Sequence, residues 1–281
     1  MAMFDDVGPA ARAAGLTVGE PQVWSWAREP KAPAAIAADL AGDGYLELPG
    51  TIPLELVTRC RASVELVVAR GAPAVCALAF DPLWQLLPLL TPIASRGLGF
   101  PVEVLDSFWA WHVEGEAARG WPPHRDRPDR AFTPDDQIAS MTLWVALSDA
   151  TTRNGCMVVV PAPWDYEYRN PQAREHVSSM QHIRALPATA GTVLGWTHAL
   201  LHWSTAAAAS EPPRISVGFE FVRAGYETSD ERFPAEVFPS LADRCAIIGK
   251  QITKYQHMHE LPADAFAPVS PLLGAIRRAF A

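Results

Sequence analysis

Residues 121–129 read WPPHRDRPD and place a histidine and an aspartate two positions apart, at His124 and Asp126. Side chains two apart in an extended segment project to the same side, so both groups can reach one metal ion. A third ligand is available downstream in LLHWS, which contains His202. Two imidazoles and one carboxylate on one face of an octahedral ion leave three positions open, which is typical of non-heme Fe(II) oxygenases. The stretch therefore predicts a mononuclear metal site on extended chain.

The pair alone is weak evidence, because His-x-Asp occurs by chance in many proteins and HRDRPDR also suits a solvated charged turn. Three features favour the metal site. An aromatic-rich strand pattern, DSFWAWHV at residues 106–113, precedes the pair, the distal segment reads His-x-Ser, and Arg214 begins a later apolar strand. His198 and His202 are four apart and would share a face in a continuous strand, so these residues leave both open as the third ligand.

With these motifs the sequence resembles the phytanoyl-CoA hydroxylase-like family of Fe(II)/2-oxoglutarate dioxygenases. GDGYLELPGTIPLELV at residues 42–57 is similar to the family's N-terminal strand and helix, and MTLWVALSDATTRNGCMVVVPAPW at residues 141–164 is similar to its central strand pair. GTVLGWTHALLHWS at residues 191–204 is similar to the strand that delivers the distal histidine. The likeness covers residues 39–222 and specifies cofactor chemistry more than substrate.

The resemblance implies an enzyme that uses Fe(II), 2-oxoglutarate and O2 to hydroxylate an unactivated C–H bond of a small molecule, with release of succinate and CO2. It implies that His124, Asp126 and His202 bind the iron and form the catalytic centre. His202 is preferred to His198 because it alone has the His-x-Ser continuation and the family's spacing to Arg214. Because Asp126 is present instead of a small residue, hydroxylation is favoured over halogenation.

The resemblance also implies a cosubstrate site. Arg214 would take the distal carboxylate of 2-oxoglutarate as a bidentate fork, and Ser204 would donate a hydroxyl to it. Trp144 would form a wall of this site, and His112 would lie near the metal-bound end of the cosubstrate. The alternatives are a surface arginine, a turn serine and a core tryptophan, and the loop after His112 is longer than in the family.

Substrate-binding residues are expected around the pocket mouth, where tryptophans offer flat apolar surface and arginines offer charge. The candidates are Trp111, Arg119, Trp121, Arg125 and Trp164. Core aromatics and surface arginines are an equally good interpretation of this set. An acidic, lysine-poor chain offers no basic docking surface for coenzyme A or a carrier protein, so a free small molecule is favoured, such as an amino acid or a natural-product intermediate.

Composition limits the function further. A net charge of −8 and only three lysines argue against a nucleic-acid surface. No apolar run is long enough for a bilayer, and the N-terminus lacks a secretory pattern, so no membrane association and a cytoplasmic location are predicted. The four cysteines contain no C-x-x-C and are expected to be reduced thiols. The oligomeric state is left open.

Helical spacing predicts N-terminal helices, and alternation predicts later strands. The helices are expected at residues 34–40, 54–69 and 83–94, and the strands at 103–113, 139–147, 156–160, 191–198 and 215–222. Helices followed by strands indicate a mainly β antiparallel double sheet with flanking α-helices. In the resembled family this is the double-stranded β-helix, a cupin-like jelly-roll.

One domain is expected over residues 1–281, with N-terminal helices at about 1–100, the jelly-roll core at about 101–225 and a C-terminal extension at about 226–281. Its tail, residues 262–281, is expected to form a closing amphipathic helix. Asn154 and Gly155 predict a tight turn between strands.

Two other functional classes remain open at this stage. A jelly-roll binding another divalent metal could perform non-oxidative isomerase or lyase chemistry, although it would have no use for the Arg214 and Ser204 clamp. A metal-free small-molecule-binding protein would have no need of three ligands.

Overall fold

Two antiparallel β-sheets form the centre of the computed structural model, which describes residues 6–116, 118, 120–173, 175–177, 180–226, 231–233, 238–255 and 267–280. The strands are β1 (Tyr45–Leu48), β2 (Val102–Val113), β3 (Ser140–Ala146), β4 (Met157–Val159), β5 (Arg184–Leu186), β6 (Val193–Thr197), β7 (His202–Ser204), β8 (Arg214–Arg223) and β9 (Arg232–Phe233). The larger sheet has the order β1-β6-β3-β8-β2-β9, and the smaller sheet has the order β5-β4-β7. These sheets and their flanking helices confirm the predicted jelly-roll class.

Helices from both ends of the chain surround the larger sheet. They are α1 (Val7–Ala13), α2 (Pro33–Asp43), α3 (Leu54–Val68), α4 (Asp81–Trp84), α5 (Leu87–Leu98), α6 (Leu241–Tyr255) and α7 (Val269–Ala279). Helices α2, α3, α5 and α6 contact the strands of this sheet, whereas α1 and α7 pack against each other and the neighbouring helical segments. One buried apolar cluster joins residues of the N-terminal helices, the larger sheet and the C-terminal helices. This shared core supports our proposal of a single domain, although β1 and β9 join the larger sheet from outside the predicted core region of residues 101–225.

Strand β8 shows how the sequence separates core from site. One of its faces packs into the apolar core through Ile215, Val217, Phe219 and Phe221. The other face borders a cavity between the two sheets through Arg214, Gly218 and Glu220. Alternate side chains of a strand point to opposite faces, so the alternation of apolar with polar or small residues assigns the two faces.

The ladder between β2 and β8 has an irregularity between Val104 and Phe108. The side-chain amide of Gln251 on α6 bonds the β2 backbone at this point. Its Nε2 donates to the Asp106 carbonyl over 2.5 Å, and its Oε1 accepts from the Phe108 N–H over 3.2 Å. Because Gln251 is fully buried, these bonds fix α6 against the strand that borders the cavity.

Most predicted elements lie where the sequence placed them, with one break and several omissions. The helix expected at residues 83–94 is divided between α4 and α5, because Pro88 has no N–H to donate to the Trp84 carbonyl. Proline is instead tolerated in the first turn of α5. Patterns in the sequence did not predict α1, β5, β9 or α6, and β7 was expected only as the end of one strand over residues 191–204. Only part of the predicted C-terminal helix lies among the described residues, where it forms α7.

None of the helices in the described ranges is long and apolar enough to cross a membrane. The cytoplasmic location stays a prediction.

Candidate active site

The backbones of His124 and His202 form a two-way bridge that brings the two imidazoles together. Each backbone N–H donates to the carbonyl of the other residue over 3.0 Å. Asp126 completes the cluster, because its Oδ1 lies 3.5 Å from Nε2 of both histidines. One ligand atom from each of the three residues lies within 4.8 Å of the others, close enough for all three to hold one metal ion.

Backbone carbonyls orient both imidazoles. His124 Nδ1 lies 2.8 Å from the Pro122 carbonyl, and His202 Nδ1 lies 3.0 Å from the Leu200 carbonyl. A carbonyl only accepts, so Nδ1 is the protonated nitrogen, and Nε2 faces Asp126. His124 Nε2 is buried and has no hydrogen-bond partner within the described part of the chain. A divalent metal would satisfy this nitrogen, so the residues fit such an ion.

Asp126 is held with one oxygen directed at the histidines. Its Oδ2 accepts hydrogen bonds from Thr142 Oγ1 over 2.7 Å and from Trp196 Nε1 over 2.9 Å. Burial by itself raises the pKa of Asp126, but the nearby His202 and His124 outweigh burial and hold that pKa well below its usual value. The carboxylate is therefore ionised, with Oδ1 left for a cation.

The two histidines differ in their protonation. Burial, followed by the charge of His124, lowers the pKa of His202 to about 4, so this imidazole is neutral at physiological pH. Burial also lowers the pKa of His124, but the nearby Asp126 carboxylate outweighs burial and raises the pKa overall. A proton on His124 therefore competes with a metal for the same nitrogen.

The bonds to Asp126 lead to a test of the metal site. We expect Thr142→Val and Trp196→Phe each to lower Fe(II) affinity by about 10- to 100-fold, because partners that orient a ligating carboxylate have effects of that size. Anaerobic equilibrium titration measures the change. Trp24→Phe is the matched control, because it removes an indole N–H that bonds Gln85 away from the site. Unchanged affinity in both site variants would contradict the role given to these bonds.

Arg214 is buried at one end of the cavity. Its Nε donates to the Gly155 carbonyl over 3.0 Å, and its Nη1 donates to Ser216 Oγ over 2.7 Å. No carboxylate of the described residues pairs with it. Burial lowers the pKa of Arg214 to about 10, which still leaves it charged at neutral pH. A buried cation without a counter-ion is costly, so the site favours an anionic ligand.

The groups around Arg214 shape this anion site. Its Cζ lies 5.9 Å from the ring centres of both Trp111 and Trp144, so the guanidinium is flanked by two indoles. Ser204 Oγ accepts the Gly120 N–H over 2.6 Å, which leaves the hydroxyl hydrogen free to be donated to a ligand. Gly155 has a φ of 98°, and its carbonyl orients Arg214. The turn predicted there thus also positions the Arg214 guanidinium.

One cavity connects the cluster of metal-ligating side chains with Arg214. Its wall is rich in aromatic residues, namely Trp109, Trp111, Trp121, Trp144, Trp196, Trp203 and Tyr255. Eight of the residues predicted for the site line this cavity. They are the three metal candidates together with Arg214, Ser204, Trp144, Trp111 and Trp121.

Other predicted residues lie elsewhere, and three assignments need correction. His112 does not line the cavity, because it falls between Trp111 and Val113 on the alternate face of β2 and lies 3.9 Å from Glu114 Oε2. Arg125 is buried in a two-bond ion pair with Asp165. Trp164 is 52% exposed and stacks on His182, with ring centres 4.4 Å apart. Arg119 lies outside the described residues.

Several residues of the cavity escaped the sequence analysis. Strand alternation was a usable signal for three of them, because Trp109 precedes Trp111 by two positions, and Gly218 and Glu220 follow Arg214 by four and six. No comparable signal pointed to Tyr255, because it lies on α6, which was not predicted. His198 is buried outside the cluster, with its Nε2 4.0 Å from Glu220.

Comparison with known proteins gives a family match. The family model described as Phytanoyl-CoA dioxygenase (PhyH) matches residues 59–215, more than half of the chain. No curated protein matches the sequence.

Solved structures with the same fold are distant in sequence. The non-heme alpha-ketoglutarate-dependent epimerase SnoN from nogalamycin biosynthesis is 22% identical, with a TM-score of 0.56 over 73% of this chain and 88% of its own. The carbocyclase SnoK from the same biosynthesis is 20% identical, with a TM-score of 0.54 over 70% and 88%. EctD from S. alaskensis, solved with 2-oxoglutarate and 5-hydroxyectoine, is 18% identical, with a TM-score of 0.55 over 74% and 82%.

Proposed function

Because this chain belongs to the phytanoyl-CoA dioxygenase (PhyH) family, we propose that it hydroxylates an unactivated C–H bond of a small molecule. Membership of the family makes it an oxygenase-type enzyme that depends on Fe(II) and 2-oxoglutarate. Bound Fe(II), with 2-oxoglutarate and O2, supplies the oxidising chemistry, and succinate and CO2 are released. The protein contributes binding, orientation and exclusion of water.

We assign iron binding to His124, Asp126 and His202. The support is the orientation of both Nε2 atoms and Asp126 Oδ1 toward one point, with the remaining ring nitrogens and Oδ2 bonded to other protein groups. These outer bonds limit rotation of the side chains, so the three ligand atoms are held in place before the metal arrives.

We assign the distal carboxylate of 2-oxoglutarate to Arg214, with Ser204 as a hydroxyl donor. The observation that carries this proposal is a buried, charged guanidinium with no carboxylate partner among the described residues, in the same cavity as the three metal ligands. A non-oxidative isomerase or lyase has no need of a second anion site at this position. Trp111 and Trp144 then border the cosubstrate on either side of the guanidinium.

Hydroxylation is the outcome we propose because Asp126 occupies the position that a halogenase leaves open to chloride. Similar folds are known for the epimerase SnoN and the carbocyclase SnoK, so the fold permits several outcomes. Isotopically labelled O2 separates them. We expect one labelled oxygen atom in the product, whereas a ring closure or an epimerisation would leave the product unlabelled and contradict hydroxylation.

The first test needs no known substrate. We expect slow formation of succinate from 2-oxoglutarate that requires both Fe(II) and O2, measured by mass spectrometry and increased by a true substrate in a compound screen. Protein treated with a chelator is the control. An absence of succinate with the bare enzyme and with every compound of the screen would contradict the proposal.

A further inference from the structure

Four aromatic side chains form a continuous wall beside the metal-binding cluster. Trp109 contacts Trp111 and Tyr255, with ring centres 6.2 and 5.1 Å apart. Trp121 contacts Trp111 and Tyr255 at 4.9 and 5.1 Å. Trp121 also lies 5.2 Å from the ring of His124, so the wall reaches a proposed iron ligand. Such a surface favours a flat, apolar ligand.

Gly218 lies in the floor of the cavity. It pairs with Trp109 on β2 and with Trp144 on β3. Its φ is not in the left-handed region, and a Cβ added there would meet no atom within 4 Å. Neither backbone conformation nor close packing therefore requires glycine at this position. The missing side chain leaves space between two indoles, so a ligand can approach the backbone closely there.

Glu220 supplies a hydrogen-bond acceptor at the end of this space. Its Oε2 accepts from Arg127 Nε over 2.8 Å, whereas no described residue donates a hydrogen bond to Oε1. In the β3–β8 ladder Glu220 lies opposite Thr142, and the Thr142 hydroxyl donates a hydrogen bond to Asp126. A ligand group bonded to Glu220 Oε1 would therefore lie beside the proposed iron ligands.

The charges around Glu220 select the kind of donor. Ser107 Oγ lines the cavity and accepts from Arg127 Nη2 over 2.9 Å and from Lys254 Nζ over 2.6 Å. Glu220 is thus already paired with one cation, Arg127, so a neutral donor is enough to satisfy its second oxygen and an ammonium group in the ligand is not required. Glu220 and Asp126 place two carboxylates on this part of the lining, whereas the charged guanidinium on the lining, Arg214, is assigned to 2-oxoglutarate, so an anion is disfavoured beside Glu220. A neutral hydroxyl satisfies both conditions.

Some of the residues that shape this part of the cavity lie beyond the residues that match the family model. The match ends at residue 215, whereas Gly218, Glu220 and Tyr255 follow it. Tyr255 reaches the cavity because Gln251 fixes α6 to β2. Substrate choice can therefore be set by β8 and α6 while the iron and cosubstrate sites stay unchanged.

Resting on the proposed function, we propose that the substrate is a neutral, flat ring compound whose hydroxyl group donates a hydrogen bond to Glu220 and whose ring lies over Gly218. The compound class is a hydroxylated aromatic or fused-ring molecule. An amino acid, which carries both an ammonium and a carboxylate, does not fit this end of the cavity.

Binding of three simple probes tests the class, with naphthalene as the apolar reference. Calorimetry under anaerobic conditions compares 2-naphthol with naphthalene-2-carboxylate, on the protein with and without Fe(II) and 2-oxoglutarate. With 2-oxoglutarate bound at Arg214, we expect the unmodified protein to bind the naphthol at least about tenfold more tightly than naphthalene or the carboxylate. Equal or tighter binding of the carboxylate in the presence of 2-oxoglutarate, or no binding of any probe, would overturn the proposal.

Glu220→Gln should reduce the preference for 2-naphthol over the carboxylate by about tenfold or more, because a hydrogen bond to a charged acceptor is replaced by one to a neutral acceptor. Glu103→Gln is the matched control, since Glu103 also lies on the larger sheet and pairs with an arginine, Arg232, outside the cavity. An unchanged preference in Glu220→Gln would overturn the assignment of this residue.

Gly218→Val should abolish binding of 2-naphthol by filling the space between the indoles. The control is Gly249→Val, because a Cβ at Gly249 also meets nothing within 4 Å but extends into solvent from α6. Circular dichroism checks that both variants fold. If Gly218→Val weakens only 2-oxoglutarate binding, or if Gly249→Val weakens the naphthol equally, the proposed position of the ring is wrong.

These outcomes are separate from the test of the proposed function. If the naphthol preference and its loss in Glu220→Gln are found but Fe(II) and 2-oxoglutarate do not bind, the substrate class stands and the oxygenase assignment fails. If the cofactors bind but the probes do not, the oxygenase assignment stands and the substrate class fails.

Discussion

Asp126→Ala, His124→Ala and His202→Ala are each expected to abolish Fe(II)-dependent turnover of 2-oxoglutarate while leaving the fold intact. Each change removes one of three protein ligands, so affinity and geometry are lost together. Asp126 should show the effect most clearly, because it lies 3.5 Å from both imidazole nitrogens and carries the only negative charge of the cluster. Succinate formation measures turnover, and circular dichroism measures the fold.

His198→Ala is the control for the histidine ligands. His198 is four residues from His202 and equally buried, but it is outside the cluster of ligand atoms. We expect His198→Ala to retain Fe(II) binding. If His202→Ala kept near-normal turnover while His198→Ala lost it, the distal ligand would be His198, and the site would have to be rebuilt around it.

Asp126→Gly adds a chemical test to the same position. It should eliminate hydroxylation and open one coordination position to chloride. Chlorinated product from the unmodified protein in chloride buffer would contradict the hydroxylase proposal.

Arg214→Ala is expected to raise the apparent KM for 2-oxoglutarate by at least about a hundredfold. A buried guanidinium that holds a carboxylate by two charge-assisted hydrogen bonds contributes about 3 kcal/mol or more, and about 1.4 kcal/mol corresponds to a factor of ten. Fe(II) affinity should change little, because Arg214 is not a ligand. Steady-state kinetics with saturating Fe(II) and varied 2-oxoglutarate measures the effect.

Arg214→Lys should recover only part of the loss, because an ammonium keeps the charge but cannot reproduce the planar fork. Arg232→Ala is the control, since Arg232 is a partly exposed arginine paired with Glu103 outside the cavity. An unchanged KM in Arg214→Ala would remove this residue from the cosubstrate site.

The sequence predicted the parts of the site that depend on local spacing. His124 and Asp126 are two apart, and the structure places their ligand atoms together with that of His202, as predicted. The fold class was also predictable, because a strand with one buried face has apolar residues at alternate positions of the sequence, as β8 does.

Other parts depend on contacts between segments that no local pattern records. Arg125 looked like a charge at the pocket mouth, but its partner Asp165 lies forty residues away and turns it into a buried ion pair. Tyr255 lies at the cavity because α6 packs beside β2, where Gln251 bonds an irregular point of the strand. Trp164 follows β4 of the smaller sheet, but its side chain lies at the surface, where it stacks on His182.

The central claim is that one cavity holds Fe(II) and 2-oxoglutarate together, between the His124, Asp126 and His202 cluster and Arg214. Anaerobic titration of the protein with Fe(II) and then 2-oxoglutarate tests it most directly. We expect the weak visible charge-transfer band of an iron-bound 2-oxo acid, saturating at one equivalent of each, and lost in Asp126→Ala. If tight Fe(II) binding is found but 2-oxoglutarate produces no such band, the account is contradicted.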